Sequence, residues 1–170
     1  MLLTGEPAST ARIDLGDVSR PQLPVAVQEQ VTLDQVKSEM LSGLRVLVVE
    51  DDPGIATDIT DLVERAEGSV VGPVGSLQQA RQVLKSEQPI DVAVLDVNLS
   101  DGDVTPVLEA LRARRVGIVI YTGGNGLPPK LAERHPDLTV LQKPVQPGRL
   151  VGEIQRAHRD ASGALPPPTD

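Results

Sequence analysis

Glu50, Asp51 and Asp52 form one acidic run, and Asp96, Thr122 and Lys143 stand singly further along the chain. Each of these four places closes a segment rich in Val, Ile and Leu, at residues 45–49, 90–95, 116–121 and 139–142. If those segments are strands of one parallel sheet, all four places lie along one of its edges. Ionised carboxylates gathered there would repel strongly in a low-dielectric cleft, so the set calls for a cation. All-oxygen ligands with vacant positions suit Mg²⁺, a hard octahedral ion that keeps waters and accepts phosphate oxygens. A carboxylate beside such an ion can attack a phosphoryl group in line and become an aspartyl phosphate. Asp96 stands alone at its strand end and suits the nucleophile. Lys143 supplies a point charge, and the Thr122 hydroxyl can donate to a phosphoryl oxygen. Singly, each place has a plainer reading: the acidic run as a helix N-cap, Asp96 as a turn residue, Thr122 before two glycines as loop, Lys143 as a solvated charge. The joint arrangement favours the phosphoryl site.

The elements that must position these residues follow from periodicity. Residues 45–49 are a continuous apolar run of the kind buried on both sheet faces, and after Pro53 the residues Ile55, Ile59, Leu62, Val63 and Ala66 recur at helical spacing, with Gly68 as terminator. Residues 70–74 form a strand interrupted by Gly and Pro, and Ser76 caps a helix with Leu77, Ala80, Val83 and Leu84 inward. The run at 90–95 precedes a helix carrying Val107, Leu108 and Leu111, with Pro106 in its first turn. A strand at 116–121, a short helix near 130–134, a strand at 139–142 and a helix opened by Pro147 complete the series. Alternating strands and helices imply an open parallel sheet covered on both faces, whose ligand site lies beyond the carboxyl ends of the strands.

Residues 1–24 are polar and turn-rich, and are expected to be flexible. Thr32 with Gln35 is a capping-box pattern, and Leu33, Val36 and Met40 share a helical face, which predicts a short amphipathic helix over 33–42. The expected organisation is an extension at 1–43, the α/β domain at 44–158 and a disordered tail at 159–170.

Composition narrows the function classes. The chain has 170 residues, a formal charge of −8, no Cys, Phe or Trp, and a single Tyr at position 121, so its core must be aliphatic. The acidic balance argues against nucleic acid and favours protein partners and metal ions. No apolar run reaches membrane-span length and no secretory signal opens the chain, which predicts a cytoplasmic protein without a membrane role. His135 and His158 are expected on the surface, outside any phosphodonor helix.

From residue 44 to about 158 the sequence resembles a response-regulator receiver domain of bacterial two-component signalling. The likeness rests on Val-Leu-Val-Val-Glu-Asp-Asp at 46–52, Leu-Asp-Val-Asn-Leu at 95–99, Tyr-Thr-Gly at 121–123 and Gln-Lys-Pro at 142–144. It implies a flavodoxin-like doubly wound five-stranded parallel sheet of order 2-1-3-4-5. It also implies that Asp51 and Asp96 ligate Mg²⁺ directly, with the backbone carbonyl of Asn98, that Glu50 acts through water, and that Asp52 is a further candidate ligand. Asp96 would accept phosphate from a sensor histidine kinase, and Thr122 and Lys143 would register it, making the chain a phosphoacceptor with autophosphatase activity rather than an enzyme. Residues 120–125 resemble the Phe-Ala-Thr-Gly subgroup of stand-alone receivers, which work with kinases of the HWE type. Ser100 replaces the usual proline, and Val140 occupies a position where many receivers carry a switching aromatic.

Two other classes compete. An aspartyl phosphohydrolase would place a second aspartate two residues after the nucleophile, where this chain has Asn98; a pseudo-receiver would bind partners without phosphorylation. The short remainder after the domain suggests output through a downstream protein, a phosphotransfer protein or a homodimer formed by the fourth and fifth helices or the N-terminal helix.

Overall fold

A computed structural model of the protein describes residues 40–124 and 126–163. In chain order its elements are β1 (Arg45–Val49), α1 (Pro53–Arg65), β2 (Ser69–Val74), α2 (Leu77–Lys85), β3 (Val92–Leu95), α3 (Thr105–Ala113), β4 (Gly117–Thr122), α4 (Pro129–Arg134), β5 (Thr139–Gln142) and α5 (Pro147–Ala161). The five strands are parallel and lie in the order β2-β1-β3-β4-β5. This is the flavodoxin-like arrangement, with helices on both faces.

Alternation along the central strands sorts the core into two layers. Leu47, Val49, Ala93, Leu95, Ile118 and Ile120 face α2, α3 and α4. Val46, Val48, Val92, Val94, Val119 and Tyr121 face α1 and α5. Because β1, β3 and β4 are covered on both sides, they read as unbroken apolar runs, whereas the edge strands β2 and β5 are only partly buried.

Several boundaries differ from expectation for physical reasons. β3 starts at Val92 rather than at residue 90, because Ile90 packs as a half-buried side chain and Asp91 turns its carboxylate to Arg45. After α1 the left-handed position is taken by Glu67, at φ 63°, and not by Gly68. Gly68 is needed instead for close approach: a Cβ there would lie 2.8 Å from Val63 Cγ1 and 3.1 Å from Leu41 Cβ. α5 extends to Ala161. His135 and His158, expected on the surface, are both half-buried. The helix expected over 33–42 falls largely outside the described residues, as do residues 1–24 and 164–170; Met40 to Gly43 form a turn.

Candidate functional site

The chain runs outward from β1 to β2 on one side and to β3 on the other, so the order of strands switches between β1 and β3. In open parallel sheets the ligand site lies outside the carboxyl ends of the strands at such a switch. Glu50 and Asp51 follow β1, and Asp96 follows β3. One carboxylate oxygen from each lies within 4.8 Å of the others. Glu50 and Asp96 are only 3% and 5% exposed, whereas Asp51 is open to solvent.

Lys143, just beyond β5, reaches across to this group. Its Nζ donates to Glu50 Oε2 at 2.5 Å and to Asp96 Oδ2 at 2.6 Å. The ammonium also stands 5.5 Å from the centroid of the Tyr121 ring, within cation–π range. Burial pulls the Lys143 amine downward, but the two carboxylate hydrogen bonds outweigh it and hold the group above its ordinary value. Burial pushes the Glu50 carboxyl up, against the hydrogen bond and charge of Lys143.

Three carboxylates against one ammonium leave the pocket net negative. The donors are all oxygen and one of them faces solvent, which fits a hard divalent cation that retains water. Mg²⁺ therefore suits Glu50, Asp51 and Asp96. Asp52 does not join them. Its carboxylate caps α1, with Oδ1 accepting from Ile55 N at 3.0 Å, while its own N–H donates to Glu50 Oε1 at 3.3 Å. The plain capping reading of the acidic run thus describes Asp52, and the cation reading describes its two neighbours.

Thr122, at the end of β4, is fully buried. Its Oγ1 accepts a hydrogen bond of 2.6 Å from the Asn98 side-chain amide, while Asn98 N donates to Asp96 Oδ1 at 2.8 Å. Asn98 therefore joins the carboxylate of β3 to the hydroxyl of β4. Its side-chain role escaped the sequence analysis, which assigned only its carbonyl. Asp101 was missed altogether: its carboxylate accepts from Leu77 N and Gln78 N, both at 3.0 Å, tying the loop after β3 to the start of α2. Those hydrogen bonds hold its carboxyl below the usual range.

A doubly wound parallel sheet with an acidic pocket and a half-buried lysine at the carboxyl ends of its strands defines a class of flavodoxin-like domains. Within that class, the profile of the response regulator receiver domain matches residues 46–155, and the chain belongs to this family. The solution structure of SdrG from Sphingomonas melonis Fr1 is 35% identical, with a TM-score of 0.58, over 70% of this chain and 97% of that one. The sensor protein TorS of Escherichia coli K12 is 26% identical over 88% of this chain, and the phyllosphere-induced regulator PhyR of Methylorubrum extorquens is 24% identical over 74%. The chain spans 17% of the length of TorS and 48% of that of PhyR.

Proposed function

We propose that the chain is a receiver that accepts a phosphoryl group on Asp96 from a sensor histidine kinase and signals through protein contact or phosphotransfer. The observation that carries this reading is the placement of Asp96: a buried carboxylate at the β3 end, 2.6 Å from Lys143 and grouped with Glu50 and Asp51.

In this reading an Asp96 carboxylate oxygen attacks the phosphorus, forming the O–P bond as the P–N bond to the donor histidine breaks. Asp51, Asp96 and the Asn98 carbonyl would hold Mg²⁺, with Glu50 acting through water, and the bound ion would supply positive charge to the phosphoryl oxygens. Lys143, already beside Asp96, moves its ammonium from carboxylate to phosphoryl oxygen. The Thr122 hydroxyl, which accepts from Asn98, keeps its own proton to donate. The set resembles an activated carboxylate with an electrostatic clamp, and the low-dielectric surroundings strengthen each contact.

Residues 120–125 favour the Phe-Ala-Thr-Gly subgroup, and with it a kinase of the HWE type. Among the described residues no helix is long and apolar enough to cross a membrane. We take the chain to act in the cytoplasm on protein partners, with residues 44–158 as the receiver and residues 1–43 as an extension.

The test is intact-protein mass after incubation with Mg²⁺ and acetyl phosphate or phosphoramidate. A gain of one phosphate is expected in the wild type, and none in Asp96→Asn or without Mg²⁺. If neither small donors nor kinases add phosphate and Mg²⁺ does not bind, the chain is a phosphorylation-independent binding module.

A further inference from the structure

The loop after β3, residues 96–104, carries both Asp96 and Asn98, and its backbone is soft at two points. Ser100 does not fix φ as a proline would, and Gly102 sits at φ 134°, a region that favours glycine. Asn98 nevertheless has to hold one place. Its N–H donates to Asp96 Oδ1 at 2.8 Å and its side-chain Nδ2 to Thr122 Oγ1 at 2.6 Å. On the other side, a Cβ built on Gly124 would stand 3.1 Å from Nδ2, so the loop after β4 leaves the amide little room. A shift of the loop by about 1 Å would take Asn98 out of hydrogen-bond range of one partner or the other.

Asp101 supplies the fastening that the backbone lacks. Its Oδ1 accepts from Leu77 N and its Oδ2 from Gln78 N, both at 3.0 Å, in the first turn of α2. Such N–H groups have no partner inside the helix, and a carboxylate makes charge-assisted bonds to them. The start of α2 also has caps of its own. Ser76 Oγ accepts from Gln79 N at 3.2 Å, and Gln79 Oε1 accepts from Gly75 N at 2.9 Å. Asp101 therefore adds a bond between two segments more than 20 positions apart, on top of the local capping.

The geometry points to Asp101 as a positioning residue for the phosphoryl site: its carboxylate fastens the loop after β3 to α2, so that Asn98 stays on both Asp96 and Thr122. It acts through Asn98 and not on the reacting atoms. The inference rests on the receiver reading of Asp96.

Ser76→Ala removes a hydrogen bond from the same helix start but leaves both Asp101 bonds in place, so it separates helix capping from positioning. Phosphate gain is timed by intact-protein mass with phosphoramidate and Mg²⁺, and urea unfolding of each variant reports its fold. Asp101→Ala should slow the gain about tenfold, Asp101→Asn, which keeps one acceptor oxygen, should fall in between, and Ser76→Ala should keep the wild-type rate. In the metal-free protein, amide exchange at Asn98 should quicken in Asp101→Ala and not in Ser76→Ala. A merely structural Asp101 would lower the urea midpoint and leave the rate of the folded protein unchanged. That result, an equal slowing in Ser76→Ala, or unchanged exchange at Asn98 would overturn this inference and leave the receiver reading in place. A wild type that gains no phosphate would overturn both.

Discussion

At the scale of single residues, charge balance is the organising quantity. The Glu50–Asp51–Asp96 group carries one more negative charge than a single divalent ion offsets, and Lys143 supplies the difference. Removing the exposed member should therefore relieve repulsion in the metal-free protein and weaken ion binding. Asp51→Asn is expected to raise the urea midpoint without Mg²⁺ and to lose the Mg²⁺-dependent gain. In the wild type that gain is about 2.7 kcal/mol when the ion is at about 100 times its Kd. A different pair reports on pH. Asp91 is partly desolvated, which raises its pKa, but hydrogen bonds from Arg45 N at 2.8 Å and Nε at 3.2 Å dominate and leave it below the usual carboxylate range. A depressed folded value means that the stabilisation is present above the unfolded value and is lost as pH falls through the folded one. Asp91→Asn should cost about 1 kcal/mol near neutral pH. Chemical denaturation should show the two proteins converging as pH falls through the depressed folded value of Asp91.

Between elements, close backbone approach decides more than side-chain chemistry. α5 crosses the start of β4 at Gly117, where a Cβ would lie 2.5 Å from Ala157 O and 2.6 Å from Ala157 C. Both atoms belong to helix backbone and cannot rotate away. Gly117→Ala should lift α5 from the sheet and lower stability by about 1–3 kcal/mol in urea unfolding, with the acidic pocket intact because it lies at the opposite end of the strands. The same reasoning explains why element types were legible while some boundaries were not. Apolar periodicity at residues 45–49 and 55–66 depends on near neighbours and is visible in the chain. The left-handed turn at Glu67 and the late start of β3 depend on what α1 and β1 present to them. α4 has only Leu131 buried, so its periodic signal is weak for a structural reason.

For the whole molecule, the question is how a charge added at the β3 end reaches a surface. The loop after β4 is held to β5 by Gln142 Nε2 donating to Gly124 O at 3.0 Å, and Val140 on β5 is 37% exposed, so no aromatic side chain is stationed there. A phosphoryl group on Asp96 would add about −1.5 to −2 charge at the pocket, and the loop after Thr122, which leads from it toward α4, is where a response is expected. Amide exchange across residues 122–134 should change on phosphorylation of the full chain; unchanged rates would place the response elsewhere. By itself the sequence determined the alternating α/β plan, the aliphatic core, and the presence of Glu50, Asp51, Asp96, Thr122 and Lys143 at strand ends. Tertiary structure alone decided that Lys143 bridges Glu50 and Asp96, that Asp52 is a cap, that Asn98 joins Thr122 to Asp96, and that Asp101 fastens α2. The physical reason is range. Periodicity is set by residues a few positions apart, whereas Lys143 and Glu50 are 93 positions apart and meet only because β1 and β5 end on the same edge of one sheet.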